Sequence, residues 1–169
     1  MTKKIAVTAL FTAFAVILGY VETFLPVIGI PGIKLGLANL SIVLALYILG
    51  NREAVVINFV RILLVGFMFG NMFAIAYSLA GAGLSYIIMI GAKKIKLSMI
   101  TVAILGGVFH NIGQMIVAGM VVETYGIFAY IPVLMLSGII TGMLIGILAV
   151  FIYNRVYKYI FNEIGSDIK

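Results

Sequence analysis

Cysteine is absent, which excludes disulfides, thiolate chemistry and cysteine-type metal sites. Acidic groups are scarce: 169 residues carry five carboxylates, and Asp167 in the C-terminal tail is the only aspartate. Chemistry that holds magnesium and a diphosphate with aspartate-rich motifs is therefore not available, and the chain is expected not to be an enzyme. The single histidine, His110, has no acidic neighbour on its own helix and is a poor metal ligand, so no metal and no cofactor is expected. No Gly-x-x-x-x-Gly-Lys-Ser/Thr loop occurs, so the chain cannot draw on ATP by itself. Charge of any kind is sparse, at 9% of residues against 64% hydrophobic, with a mean hydropathy of +1.30. Too few polar side chains remain to cover a soluble domain of this size, and an integral membrane protein is the reading that composition leaves.

The basic residues sit at the ends of apolar segments and not along one face. That placement suits membrane orientation and excludes nucleic acid as a partner, despite the net charge of +6. Lys3 and Lys4 ahead of an apolar run resemble a signal peptide, but no small-residue cleavage site leads into a soluble domain, so a retained first helix is expected.

Six spans follow in order, at about 5–25, 35–49, 53–69, 72–90, 98–121 and 131–154, in a single transmembrane domain. The first carries Ala9-x-x-x-Ala13, a spacing that lets another helix approach closely. Between the first two spans, residues 26–36 hold Pro26, Pro31 and three glycines, which forbid a continuous helix. Their apolar character predicts a loop or partial helix folded over the bundle on the extracellular side, where it could act as a lid. Ala76, Ala80 and Gly83 are small packing positions on the fourth span. Gly138, Gly142 and Gly146 recur every four residues on the sixth and form a smooth groove for close helix contact. After residue 154 a polar, amphipathic tail is expected. Six spans put both termini on one side. With that side in the cytoplasm, nine of the eleven basic residues lie inside, only Lys34 lies outside, and Arg61 is in the membrane.

In that orientation Arg61 is eight residues into the third span, roughly 12 Å deep at 1.5 Å per residue, near the bilayer middle. His110 is central on the fifth span, and Gln114 lies one turn further out on the same face, with Asn111 about 100° round. Glu22, Lys34 and Asn39 fall in the outer third, while Asn58 is left on the inner side. Buried polar groups at these depths are costly unless they meet partners, water or a ligand. Two readings stay open: interhelical glue, including an Arg61–Glu22 ion pair, or a cluster lining a cavity for an anionic or strongly polar solute. The second reading takes Arg61, His110, Asn111 and Gln114 as the pocket, with Asn39, Lys34 and Glu22 toward its mouth. Arg61 would pair with an anionic group, and the amides and imidazole would orient the ligand.

The stretches Lys34-Leu-Gly-Leu-Ala-Asn39, Leu46-Tyr-Ile-Leu-Gly50, Arg61-Ile-Leu-Leu, Tyr77-Ser-Leu-Ala-Gly81, His110-Asn-Ile-Gly-Gln114 and Pro132-Val-Leu-Met-Leu-Ser-Gly138 resemble one membrane family along most of the chain. It is the Gx transporter family, also labelled heptaprenyl diphosphate synthase component I. The resemblance implies a fold similar to the substrate-binding S components of energy-coupling factor transporters. Those are six-helix proteins of the cell membrane with an outward-facing pocket. It further implies partners, a transmembrane coupling subunit and two ATPase subunits, with Ala9 and Ala13 as the contact to the former. The synthase label implies instead an accessory or lipid-delivery partner of isoprenoid synthesis that is not itself catalytic.

Overall fold

The computed structural model describes residues 2–24, 36–122 and 125–168, so Lys34 and nearly all of the expected lid lie outside the described residues. The described chain is helical throughout: α1 (Thr2–Thr23), α2 (Leu37–Ile48), α3 (Asn51–Phe69), α4 (Met72–Lys94), α5 (Met99–Val122), a 3-10 turn at Tyr125–Tyr130, and α6 (Ile131–Ile168). The breaks have local causes. Gly36 (φ 71°) and Gly50 (φ 110°) adopt left-handed or open conformations that favour glycine, one ahead of α2 and one ahead of α3. The Asn71 side chain caps α4 by accepting the Ala74 N–H at 2.8 Å, and Ser98 Oγ accepts the Thr101 N–H at 3.1 Å at the start of α5.

Helix four runs a turn beyond the expected end at residue 90, through Lys93 and Lys94. Lys93 turns back along the bundle, donates to the Leu46 carbonyl at 2.5 Å and lies 5.0 Å from the Tyr47 ring centroid. The ammonium is thus partnered while its stem lies along apolar surface, and the helix need not stop before it. α6 continues past residue 154 to Ile168, where the polar tail was expected.

Four helical stretches are long and apolar enough to cross a membrane: Lys3–Thr23, Met72–Lys94, Met99–Val121 and Phe128–Val156. α3 carries Arg52, Glu53 and Arg61, and α2 has only 12 residues, so neither is among them. α2 is instead a central element: Ile42, Val43, Ala45 and Leu46 are fully buried, packed with Ala15, Ile57, Met89, Val102 and Ala149 from the helices around it. A helix enclosed on most sides reads as a continuous apolar run without a polar face, as α2 does. Large apolar side chains on the periphery, among them Leu10, Ile87, Met120 and Phe151, are exposed, as lipid-facing positions are. The molecule is an all-helical, multi-pass membrane protein.

Two backbone-on-backbone seams hold α5. On one side, a methyl added at Gly138, Gly142 or Gly146 of α6 would lie 2.6–2.9 Å from α5 backbone atoms, so the four-residue glycine row seats α5 directly. On the other side, a methyl at Gly81 of α4 would lie 2.8 Å from the His110 carbonyl oxygen, and one at Gly113 would lie 2.6 Å from the Ala80 carbonyl oxygen. Gly83, expected to be a packing position, has nothing within 4 Å of such a methyl; the close approach falls on Gly81. At the lysine-rich end, α1 and α3 are joined by the Lys4–Glu53 ion pair at 2.7 Å, and the Tyr86 hydroxyl of α4 donates to the Asn51 carbonyl of α3.

Candidate functional site

Toward the opposite end, the C-terminal parts of α1 and α3, the N-terminal part of α2, the first two-thirds of α4 and the middle of α5, with Thr141 of α6, enclose a cavity of about 210 Å³. Glu22, Asn39, Arg61, His110, Asn111 and Gln114 all line it. Lys34 lies outside the described residues. Ala9 and Ala13 are exposed on α1, away from the cavity and beside exposed Leu10 and Ile17.

Each polar side chain arrives by a helix-level cause. Arg61 sits at the i+3 position from Asn58, and its Nη2 donates to the Asn58 Oδ1 at 2.5 Å. Asn58 is therefore a cavity residue that aims the guanidinium, not a group left behind on the inner side. Its depth along α3 was legible, but the face it shares with Arg61 decides its role. The Arg61 Nε is buried with no protein partner. Glu22 is the charged group that acts on Arg61 through space, yet no ion pair between them forms among the described residues. Its carboxylate accepts the Gly36 N–H instead, which ties the end of α1 to the start of α2.

Asn111 divides its role. Its amide nitrogen donates to the Leu134 carbonyl at 2.7 Å, an interhelical bond to α6, while the residue still borders the cavity. Gln114 is 2% exposed, and its Nε2 has no partner. Gly81 lies against it: a methyl there would be 2.7 Å from Gln114 Cγ, so only a glycine lets α4 reach the polar face of α5. Ser78, Ser85 and Thr141 also line the cavity, and the Ser85 hydroxyl is buried without a partner. Composition gave no reason to single these out. Ser78, Ala82 and Ser85 do fall at i, i+4 and i+7, one stripe of α4, and that spacing was the available signal.

The arrangement is rich in hydrogen-bond donors: a guanidinium, four amides and several hydroxyls against one carboxylate near the rim. Among the described residues, no group of three or more His, Asp, Glu or Cys side chains could hold a metal ion. No curated protein and no solved structure matches the sequence. The family described as heptaprenyl diphosphate synthase component I matches residues 11–152, which is most of the chain. The chain belongs to that family.

Proposed function

We propose that the chain is the solute-binding membrane subunit of an uptake transporter whose ATP is hydrolysed by partner subunits. The observation that carries this reading is the set of buried donors left without protein partners on three residues that line one cavity: Arg61 Nε, Gln114 Nε2 and the Ser85 hydroxyl. Buried polar groups in native proteins are nearly always satisfied, and in a bilayer the cost of leaving them unmet is larger. A small polar solute with an anionic group would satisfy them together. Arg61, held by Asn58, would take the anionic group, and Gln114, His110 and Asn111 would orient the rest. Glu22 and Asn39 stand toward the mouth. Ala9 and Ala13 would give the coupling subunit a close-contact surface on α1. The excess of basic residues at the other end supports an orientation with both termini in the cytoplasm, in which the cavity would open outward.

Native mass spectrometry of the protein extracted gently from its host membrane tests this. A retained small molecule, lost in Arg61→Gln and in His110→Ala, is the expected result. A clean apo mass in wild type, with variants that lose only stability, would return the cluster to interhelical packing. The family's description favours a second reading, an accessory of prenyl diphosphate synthesis. Co-purification separates the two: a coupling subunit with ATPases, abolished by Ala9→Trp, against a soluble prenyl synthase and no ATPase.

A further inference from the structure

A second cavity, of about 140 Å³, lies on the outer seam between α3 and α4, lined by Val55, Asn58, Phe59, Ile62, Leu79, Ala82, Gly83 and Tyr86. Asn58, Ile62 and Ala82 line this groove and the polar cavity alike, so a partition one side chain thick separates the two spaces. The deep wall is buried, whereas Val55 and Phe59 at the rim are exposed, which opens the groove to what would be the lipid. Apart from Asn58 and the Tyr86 hydroxyl, its lining side chains are hydrocarbon, and the Tyr86 hydroxyl is turned to the Asn51 carbonyl. Gly83 adds no side chain to it, and a methyl there would meet nothing within 4 Å, so the space beside it is open. From Val55 to Ile62 the groove follows about 10 Å of α3 at 1.5 Å per residue.

We propose that the groove holds the hydrocarbon tail of an amphiphile whose polar head occupies the Arg61 cavity, the tail passing between α3 and α4 at the Asn58–Ile62–Ala82 partition. The inference rests on the solute-binding reading and narrows its ligand class to a polar head with a single apolar chain. The juxtaposition argues for it: a donor-rich cavity and an apolar channel share a wall, as the two halves of an amphiphile require. Asn58 stands where they meet, and its bond to Arg61 places the guanidinium beside the shared wall, which would part to admit the tail.

The chain has no tryptophan, so Phe59→Trp installs a sole indole at the groove rim with little change in bulk. Phe14→Trp, on the exposed side of α1, is the lipid-facing control. The probe is stearate dibrominated in mid-chain, titrated into the protein in lipid nanodiscs. The expected result is saturable quenching at Phe59→Trp and only linear quenching at Phe14→Trp. Half-saturation should rise about tenfold or more when Arg61→Gln removes the charged donor, the effect of one lost charge-assisted hydrogen bond. Gly83→Phe, which fills the groove, should abolish saturation in Phe59→Trp. Linear quenching at both positions, or saturation indifferent to Arg61→Gln, would overturn the inference. If that happens while native mass spectrometry still finds an Arg61-dependent small molecule, the tail alone is wrong. If neither signal appears, the solute-binding reading has failed first.

Discussion

Gly81 and Gly83 are two residues apart on α4 and invite the same substitution. Replacing either with alanine gains helix propensity of about 0.8–1.0 kcal/mol, and that term cancels when the two variants are compared. What differs is the space. At Gly83 the new methyl meets nothing within 4 Å; at Gly81 it would lie 2.7 Å from Gln114 Cγ and 2.8 Å from the His110 carbonyl oxygen. The carbonyl is backbone, so relief requires α5 as a whole to retreat by roughly 0.7 Å to reach an ordinary contact of about 3.5 Å. α5 is held from behind by the glycine row of α6, so the retreat is opposed, and overpacking of this kind costs about 1–3 kcal/mol. Gly81→Ala should therefore be less stable than Gly83→Ala by about 1–3 kcal/mol. For a chain of this size that is a difference in apparent melting temperature on the order of 5 °C. Thermal unfolding in one detergent, followed by circular dichroism, reads the difference directly. Equal melting temperatures, or a Gly83→Ala variant that melts below Gly81→Ala, would refute the account of the α4–α5 seam.

Other substitutions have equally specific outcomes. Gly142→Val places a branched side chain where a single methyl would already lie 2.6 Å from Ile104 Cα, and should cost about 3 kcal/mol or more as α6 parts from α5, measured by the same melting experiment. Asn111→Leu removes the donor to the Leu134 carbonyl; a loss of about 0.6–1.7 kcal/mol is expected, as for other interhelical hydrogen bonds in membranes, checked by unfolding in mixed micelles. Lys4→Ala breaks a partly exposed ion pair with Glu53 and should cost only about 0.2–1 kcal/mol, with the deficit shrinking as salt is raised. A large salt-independent loss there would mean that the lysine stem packs more tightly than its exposure implies.

Much of the helical order could be read from the chain because each apolar run is bounded by glycine, asparagine or lysine. The row Gly138, Gly142, Gly146 also announced a close helix contact, and α5 occupies it. Gly83 misled for the complementary reason. Sequence shows that a residue is small but not whether a neighbour approaches it, and on α4 the approach falls two residues earlier. For Arg61 the need for a partner followed from depth alone, yet its partner could not. The expected carboxylate of Glu22 is engaged with Gly36, and the neutral Asn58 three residues before Arg61 takes its place. The convergence of Glu22, Asn39, Arg61, His110 and Gln114 on one end was legible because depth is additive along a helix. The contribution of Thr141 was not, since a lone hydroxyl is at home anywhere in a membrane helix.

The glycine seams on both flanks of α5 also distribute stiffness unevenly around the cavity. Helices in backbone contact cannot slide or tilt without forcing main-chain atoms together, so α4, α5 and α6 behave as one slab. α1, α2 and α3 are joined by side-chain contacts, which can change rotamer: Ser41 donates to the Phe11 carbonyl, Lys4 pairs with Glu53, and Glu22 accepts the Gly36 N–H at the cavity rim. Any breathing of the chamber should therefore fall on α1 and α3, since α2 is buried against α4, α5 and α6, with the floor that carries His110, Asn111 and Gln114 held in place. A spectroscopic label on α1 or α3 would register that swing, and one on α6 would stay still.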